Sequence, residues 1–408
     1  MSVVNQIIDG SDMDLTLKLR QSMRWSIFLI SFIVIGLSRV TKSIDRLPPD
    51  PGYDFFENSY QSGLSVLWKT EGGYVDIPRR ALAEIVILFP IHYTAIVGTL
   101  LWVIMAAATA ITVTWIVGAI TKSHVAGFIC GLLVVLNPSA SESQIGNQSV
   151  VKWFLILIVA VGVSTLELEM IPTYVLATLI LICGASNPIT FAAASPLILQ
   201  FLTRPDEIRK NRYLVIIGAF IVALLIQYAA WKSTGSGWRK YEERVYWPWA
   251  GSGMFWFYNF LISPLTFLGV FAVALPILPF PKPSKFVINI AVVGLSIWSV
   301  PYFLSGMADR YFVVPQILAG ICVVTYAKET YKRRLNLLSI ACAFYLLIAC
   351  VAMAHWYQSM WFLTSGPRWS VEVDEAVTQC LDEDAKTVFI DQFMGGISLD
   401  CTVLATRS

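Results

Sequence analysis

Long apolar runs separated by short polar breaks occupy most of the chain. Each run approaches the ~20 residues a helix needs to cross a bilayer. The pattern predicts about eleven spans, near 24–41, 94–120, 124–137, 151–166, 171–186, 188–202, 213–231, 253–280, 285–304, 311–327 and 336–355. The third to sixth are short, with Asn137-Pro138, Asn187-Pro188 and Pro196 at or near their ends. Proline clashes with the preceding turn and lacks an N–H, so tilted, broken or re-entrant pieces are expected there. From 356 to 408 the chain turns polar. In this tail a short helix is expected over Val371–Cys380, with strands at Thr387–Asp391 and Thr402–Leu404. So small a piece buries little by itself and should dock on neighbouring loops.

One stretch breaks the apolar pattern early. Residues 42–93 carry Asp45, Asp50, Asp54, Glu57, Glu71, Asp76 and Glu84 among Arg46, Lys69, Arg79 and Arg80. Pro48-Pro49-Asp50-Pro51-Gly52 is a stop-and-turn signal. After it, Phe56, Tyr60, Leu64 and Leu67 recur at helical spacing. This predicts a helix lying in the membrane interface, apolar side down, with Asp54, Glu57, Asn58 and Gln61 on its polar face. A second helix opens at Asp76-Ile77-Pro78, proline being tolerated in a first turn. Its expected apolar face is Leu82, Ile85, Val86 and Phe89, and Arg80 can reach Glu84 one turn on. The fold class is therefore an all-α polytopic membrane protein. It has interfacial helices in the first outer loop and a small outer α/β tail.

Composition agrees. Of 408 residues 56% are hydrophobic and only 14% charged, against about 25% charged in soluble proteins. The net charge of +2 gives no basic block, and neither zinc spacing nor a recognition motif points to nucleic acid. Residues 1–23 are too polar for a signal peptide, so the first span is expected to be uncleaved. Lys18, Arg20 and Arg24 favour an inner N-terminus, and short loops with Lys122, Arg204–Arg212, Lys282–Lys285 and Lys328–Arg334 then fall inside. The turn with Glu167 and Glu169 is the exception. On this topology residues 42–93, 138–150, 232–252, 305–310 and the tail lie outside. The span interiors read as essentially free of Asp, Glu, Lys and Arg, and no internal repeat is evident; both weigh against a transporter.

The outer segments hold the candidate chemistry. Asp54 and Glu57, three residues apart, project the same way along one helix; with Asp76 they are the candidate acids. They also fit the solvated face of an interfacial helix. Arg79 and Arg80 suit phosphate, because guanidinium matches phosphate oxygens with paired hydrogen bonds; they equally suit a lipid-headgroup anchor. Residues 231–256 place Arg239, Lys240 and Arg244 among Trp247 and Trp249. That is a groove for sugar rings and phosphate, or an interfacial aromatic belt. Arg310 opens the tenth span from the same side. Cys380 and Cys401 lie in the outer tail, where oxidation favours a disulfide; the other five cysteines fall in apolar runs.

This layout resembles the GT-C class of integral-membrane glycosyltransferases. The shared features are an inner N-terminus, about eleven spans, a large acidic first outer loop, broken short spans and an outer C-terminal piece. The stretches EGGYVDIPRRALAE and RYFVVP, with the tail from Pro367 to Cys401, look similar to bacterial membrane proteins of this layout. The Asp-x-Asp, Asp-Glu or Glu-Asp pairs common in the class are missing from the first outer loop, where Asp54-Phe-Phe-Glu57, Glu71 and Asp76 stand instead. The resemblance implies a bacterial inner-membrane enzyme with a polyprenyl-phosphate-linked sugar as donor and a cell-envelope glycan or lipid as acceptor. A carboxylate would take the acceptor proton, and arginine or a divalent metal ion would stabilise the leaving phosphate. A lipid-linked sugar or polysaccharide transporter and a non-catalytic envelope assembly factor are the competing readings.

Overall fold

The computed structural model describes residues 26, 45–47, 53–70, 75–135, 151–208, 210–234, 262–275, 281–304, 312–330, 367–382, 385–392 and 395–407. The predicted spans near 24–41 and 336–355 lie essentially outside them. Two helices open the described chain, α1 (Tyr53–Ser62) and α2 (Ile77–Val86). The apolar part follows as α3 (Thr94–Thr121), α4 (His124–Val135), α5 (Val151–Ser164), α6 (Thr173–Ser186) and α7 (Ser195–Thr203). It continues as α8 (Asn211–Thr234), α9 (Ser263–Ala274), α10 (Lys285–Leu304) and α11 (Val313–Thr330). The tail adds α12 (Trp369–Asp382), β1 (Thr387–Gln392), β2 (Gly395–Asp400) and α13 (Cys401–Arg407). The described residues are thus mainly helical, with one small antiparallel sheet among them.

Two described segments, Ile91–Thr121 and Asn211–Ser233, are long and apolar enough to cross a membrane. Six shorter apolar helices accompany them. α3 ends where Lys122 turns left-handed at φ 50°, and Ser123 Oγ accepts the Ala126 N–H at 3.3 Å to start α4. The two helices then meet backbone to backbone. A Cβ on Gly127 would stand 2.4 Å from the Thr114 carbonyl oxygen and 2.9 Å from Gly118 Cα, so only glycine permits the crossing.

α5 is the axis of the bundle. It is buried on nearly all sides, from Val151 and Lys152 through Trp153 and Phe154 to Ser164, and packs against α3, α6, α10 and α11. Its described part, about 21 Å long, is shorter than a bilayer core. The expected break at Asn187-Pro188 is present. Asn187 leaves α6 in extended conformation, and its Oδ1 accepts the Ile189 N–H at 2.9 Å. A 3-10 turn, Pro188–Ala194, then leads into α7. α8 leaves Leu214, Val215, Ile221, Val222, Leu224 and Leu225 exposed, an apolar surface of the kind that marks a membrane or protein contact.

The tail shares a second core with the early stretch. Val388, Ile390, Ile397 and Leu399 line the inner face of the hairpin, in a register that sets Val388 opposite Leu399 and Ile390 opposite Ile397. They join Trp369, Val373 and Ala376 of α12, Phe56 of α1, Ala83 and Val86 of α2, and Ile91. Cys380 is bonded to Cys401 across a Cα separation of 5.6 Å.

Three expectations need correction. The strand placed at Thr402–Leu404 is helical, and the strand lies just before it. Asp400 Oδ1 accepts the Thr402 N–H at 2.9 Å and its hydroxyl at 2.8 Å, a helix cap that outweighs the β-preference of Thr402 and Val403. These bonds also hold the Asp400 carboxyl below its ordinary range. The apolar face of α1 stops early, because Gly63 turns left-handed at φ +56°. Leu64 and Trp68 then sit in a 3-10 turn, 70% and 72% exposed. Phe56 and Tyr60 face protein rather than lipid, and Tyr60 shares a 2.9 Å hydrogen bond with the Thr94 hydroxyl. On α2, Leu82 and Val86 are buried as expected while Ile85 and Phe89 are exposed; Phe89 lies past the helix end.

Candidate functional site

Asp76 stands at the start of α2 but does not cap it with its carboxylate. The first turn is held otherwise: Ile77 N–H donates to Ser186 Oγ at 3.2 Å, and Val75 N–H to the Ala185 carbonyl at 3.2 Å. These bonds tie α2 to the end of α6 and bring it against the first turn of α5. There Lys152 Nζ donates to Asp76 Oδ2 at 2.7 Å. The Asp76 side chain is 1% exposed and that of Lys152 10%. Asp76 Oδ1 is buried and accepts no hydrogen bond among the described residues.

Lys152, at the head of the predicted span 151–166 rather than in its interior, is a candidate residue that the sequence pattern did not single out. A charge at the head of an apolar run was the available signal, since such residues are costly and face a partner or a cavity. Here the partner lies 76 residues earlier in the sequence. Pattern reading within one segment does not pair residues so far apart.

Arg79 and Arg80 follow Asp76 on the same helix. Arg79 is half-buried. Arg80 is 1% exposed, and its Nη1 donates to the Val66 carbonyl at 2.8 Å. That bond fixes the 3-10 turn beneath α2. Glu84 is half-buried, with Oε1 accepting no hydrogen bond among the described residues.

The other acids of the stretch hold the tail. Glu57 Oε2 accepts the Ser398 N–H at 3.1 Å, and Gln61 Nε2 donates to the Ser398 carbonyl at 3.4 Å. Asp45 accepts the Ser370 N–H at 3.0 Å and its hydroxyl at 2.5 Å. His92 Nε2 pairs with Asp374 Oδ1 at 2.9 Å, and Arg407 Nη1 donates to the Ile87 carbonyl at 2.7 Å. Glu57 and Asp76 are therefore not brought together; one faces the tail and the other the bundle. The Asp54 side chain lies outside the described residues, as do Glu71, Arg239, Lys240, Arg244, Trp247, Trp249 and Arg310.

On α12, burial pushes the Glu372 carboxyl above its ordinary 4.5, and the charges of Glu375 and Asp391 push it further. The fold then binds this proton more tightly than the unfolded chain does. Stability falls as pH rises from 4.5 through the raised value. Replacing Glu372 with Gln should therefore raise stability at pH 7, by less than about 1 kcal/mol for so shallow a site, and the melting point with it. Below pH 4.5 the gain should vanish. Melting curves across pH check this; an equal gain at every pH would discard the charge explanation.

A second polar cluster closes the other end of α5. The Glu167 carboxylate meets Lys285 Nζ and accepts from Gln200 Nε2 at 2.8 Å. Gln200 Nε2 also lies 2.9 Å from the Tyr213 hydroxyl. Arg212 Nη1 binds Glu169 Oε1 at 2.8 Å and the Glu167 carbonyl at 3.1 Å. The turn that lacked basic residues of its own thus takes them from α8 and α10. Among the described residues no group of three His, Cys, Asp or Glu side chains could hold a metal ion.

No protein-family model and no curated protein matches the chain.

Proposed function

We propose that the chain is a multi-pass membrane glycosyltransferase of GT-C layout, with about eleven spans and an inner N-terminus, in a bacterial inner membrane. It moves a sugar from a polyprenyl phosphate to an envelope glycan or lipid on the outer face. The observation that carries the reading is Asp76: a carboxylate buried at one end of the apolar bundle, with one oxygen on Lys152 and the other without a hydrogen bond among the described residues. A hydroxyl can donate to that second oxygen.

In this reading Asp76 takes the acceptor proton. The acceptor oxygen attacks the anomeric carbon, and the bond from that carbon to the phosphate oxygen breaks with its electrons leaving on the phosphate. Arg79 and Lys152 are the nearby cations for the departing charge. Proton removal of this kind contributes about 10²–10⁴-fold. Glu57 has a smaller claim to the role of base, since it is engaged with the tail.

The test is a gene deletion, followed by mass spectrometry of envelope glycans and complementation. Asp76→Asn should leave the lost glycan missing, and Glu57→Gln should restore it. Full restoration by Asp76→Asn removes Asp76 from the chemistry, and a deletion that alters no glycan removes the transferase reading.

A further inference from the structure

The ion pair between Asp76 and Lys152 has features a purely structural pair does not need. Asp76 occupies a helix-start position at which an aspartate ordinarily caps its own helix, yet its carboxylate turns to another helix. The first turns of α2 and α5 together carry Lys152, Arg79 and Arg80. Asp76 and, one turn on, Glu84 are the acids beside them. Among the described residues these three cations outnumber the two acids, and with the N-terminus of α2 they suit the site to an anion. Meanwhile Asp76 Oδ1 is buried and accepts nothing among the described residues, a half-satisfied acceptor that a hydroxyl would complete.

We infer that the Asp76–Lys152 pair is the closed form of a phosphate site, and that an incoming phosphate ester takes Lys152 away from Asp76. The lysine is the member that a ligand can reach, because it keeps a tenth of its side-chain surface while Asp76 keeps almost none. Its flexible stem lets the ammonium swing from carboxylate to phosphate, exchanging one charge-assisted hydrogen bond for another. The carboxylate is then released from its counter-ion at the moment the donor is bound. A phosphate beside a sugar hydroxyl meets both needs, the anion on Lys152 and the donor on Asp76 Oδ1. The identity of the lipid-linked ligand rests on the function proposed above; the exchange of partners does not.

Binding to the purified full chain in detergent tests this, with farnesyl phosphate as probe and farnesol as the uncharged control. Farnesyl phosphate should bind and farnesol should not. Asp76→Asn should tighten farnesyl phosphate binding about tenfold, because the competing charge is gone while the amide oxygen can still accept from the ammonium. A pair with only a structural role would give no tightening. Asp76→Asn with Lys152→Met, which removes both charges, should weaken binding by about tenfold or more relative to the wild type. Unchanged or weaker binding by folded Asp76→Asn overturns the inference, as does wild-type binding by the double variant. Equal competition by inorganic phosphate or phosphatidylglycerol vesicles overturns the lipid-linked assignment. The glycan test can fail while Asp76→Asn still tightens phosphate binding, so the two readings fall separately.

Discussion

Lys152→Met should destabilise the folded chain by about 3–5 kcal/mol, because it strands the Asp76 carboxylate in a site where it is 1% exposed. The loss does not come from volume, since methionine matches the lysine stem closely. It comes from a buried charge whose hydrogen-bonded cation has gone and whose second oxygen already lacks a donor among the described residues. Adding Asp76→Asn to the same chain should recover most of the loss, since a neutral amide needs no counter-ion. Buried ion pairs are often replaceable as a pair and rarely one at a time. Thermal unfolding in detergent, followed by tryptophan fluorescence, gives the three-way comparison. Should Lys152→Met melt like the wild type, the pair does not hold α2 to α5. Should the double variant melt no higher than the single, the charge argument fails and packing around Lys152 is responsible.

The apolar helices were legible because their signal is local. A run such as Thr94–Thr121 announces itself within its own window, and its end at Lys122 is marked by the loss of that run. The break at Asn187-Pro188 is equally local. The face of α1 was misread for a reason just as local. Spacing carries Phe56, Tyr60 and Leu64 onto one stripe only if the helix continues, and Gly63 stops it. A glycine between two apolar positions is a weak sign in sequence, and only its left-handed φ settles the matter.

The candidate site was only half legible, because it is made by long-range contact. Asp76 could be suspected from its place before Ile77-Pro78, but Lys152 acquires meaning only when α5 is laid beside α2. Glu57 looked like a partner for chemistry because it stands out of an apolar background. In the structure its carboxylate faces Ser398, 341 residues away. The same holds for Glu167 and Glu169, which lack neighbouring cations in sequence and find Lys285 and Arg212 in space. Acids in an apolar chain signal that a partner exists; they do not say whether it is a substrate, a cation or a backbone N–H.

Trp369→Ala should release the tail from the rest of the molecule. Trp369 is fully buried, its indole N–H donates to the Ile91 carbonyl at 2.6 Å, and its backbone N–H donates to the Asp45 carbonyl at 2.7 Å. Truncating so large a core side chain costs about 3–5 kcal/mol. The Ile91 carbonyl keeps the Thr94 hydroxyl, at 2.7 Å, and the Thr94 N–H as donors, so loss of the indole bond adds little to that cost. The remaining polar ties, from Glu57, His92, Asp45 and Arg407, are exposed or part-buried, each worth too little to compensate. The Cys380–Cys401 bond lies within the tail and cannot hold it to the bundle. Limited proteolysis under non-reducing conditions should therefore cut the variant between bundle and tail at protease levels that leave the wild type whole. Leu381→Ala, at a side chain 79% exposed, should change protection by less than about 0.5 kcal/mol. If the tail of Trp369→Ala stays protected, the shared core of Phe56, Val86, Ile91 and Trp369 is not what docks it. The polar contacts would then have to carry the interface, and Glu57→Gln with His92→Ala would become the variants that free it.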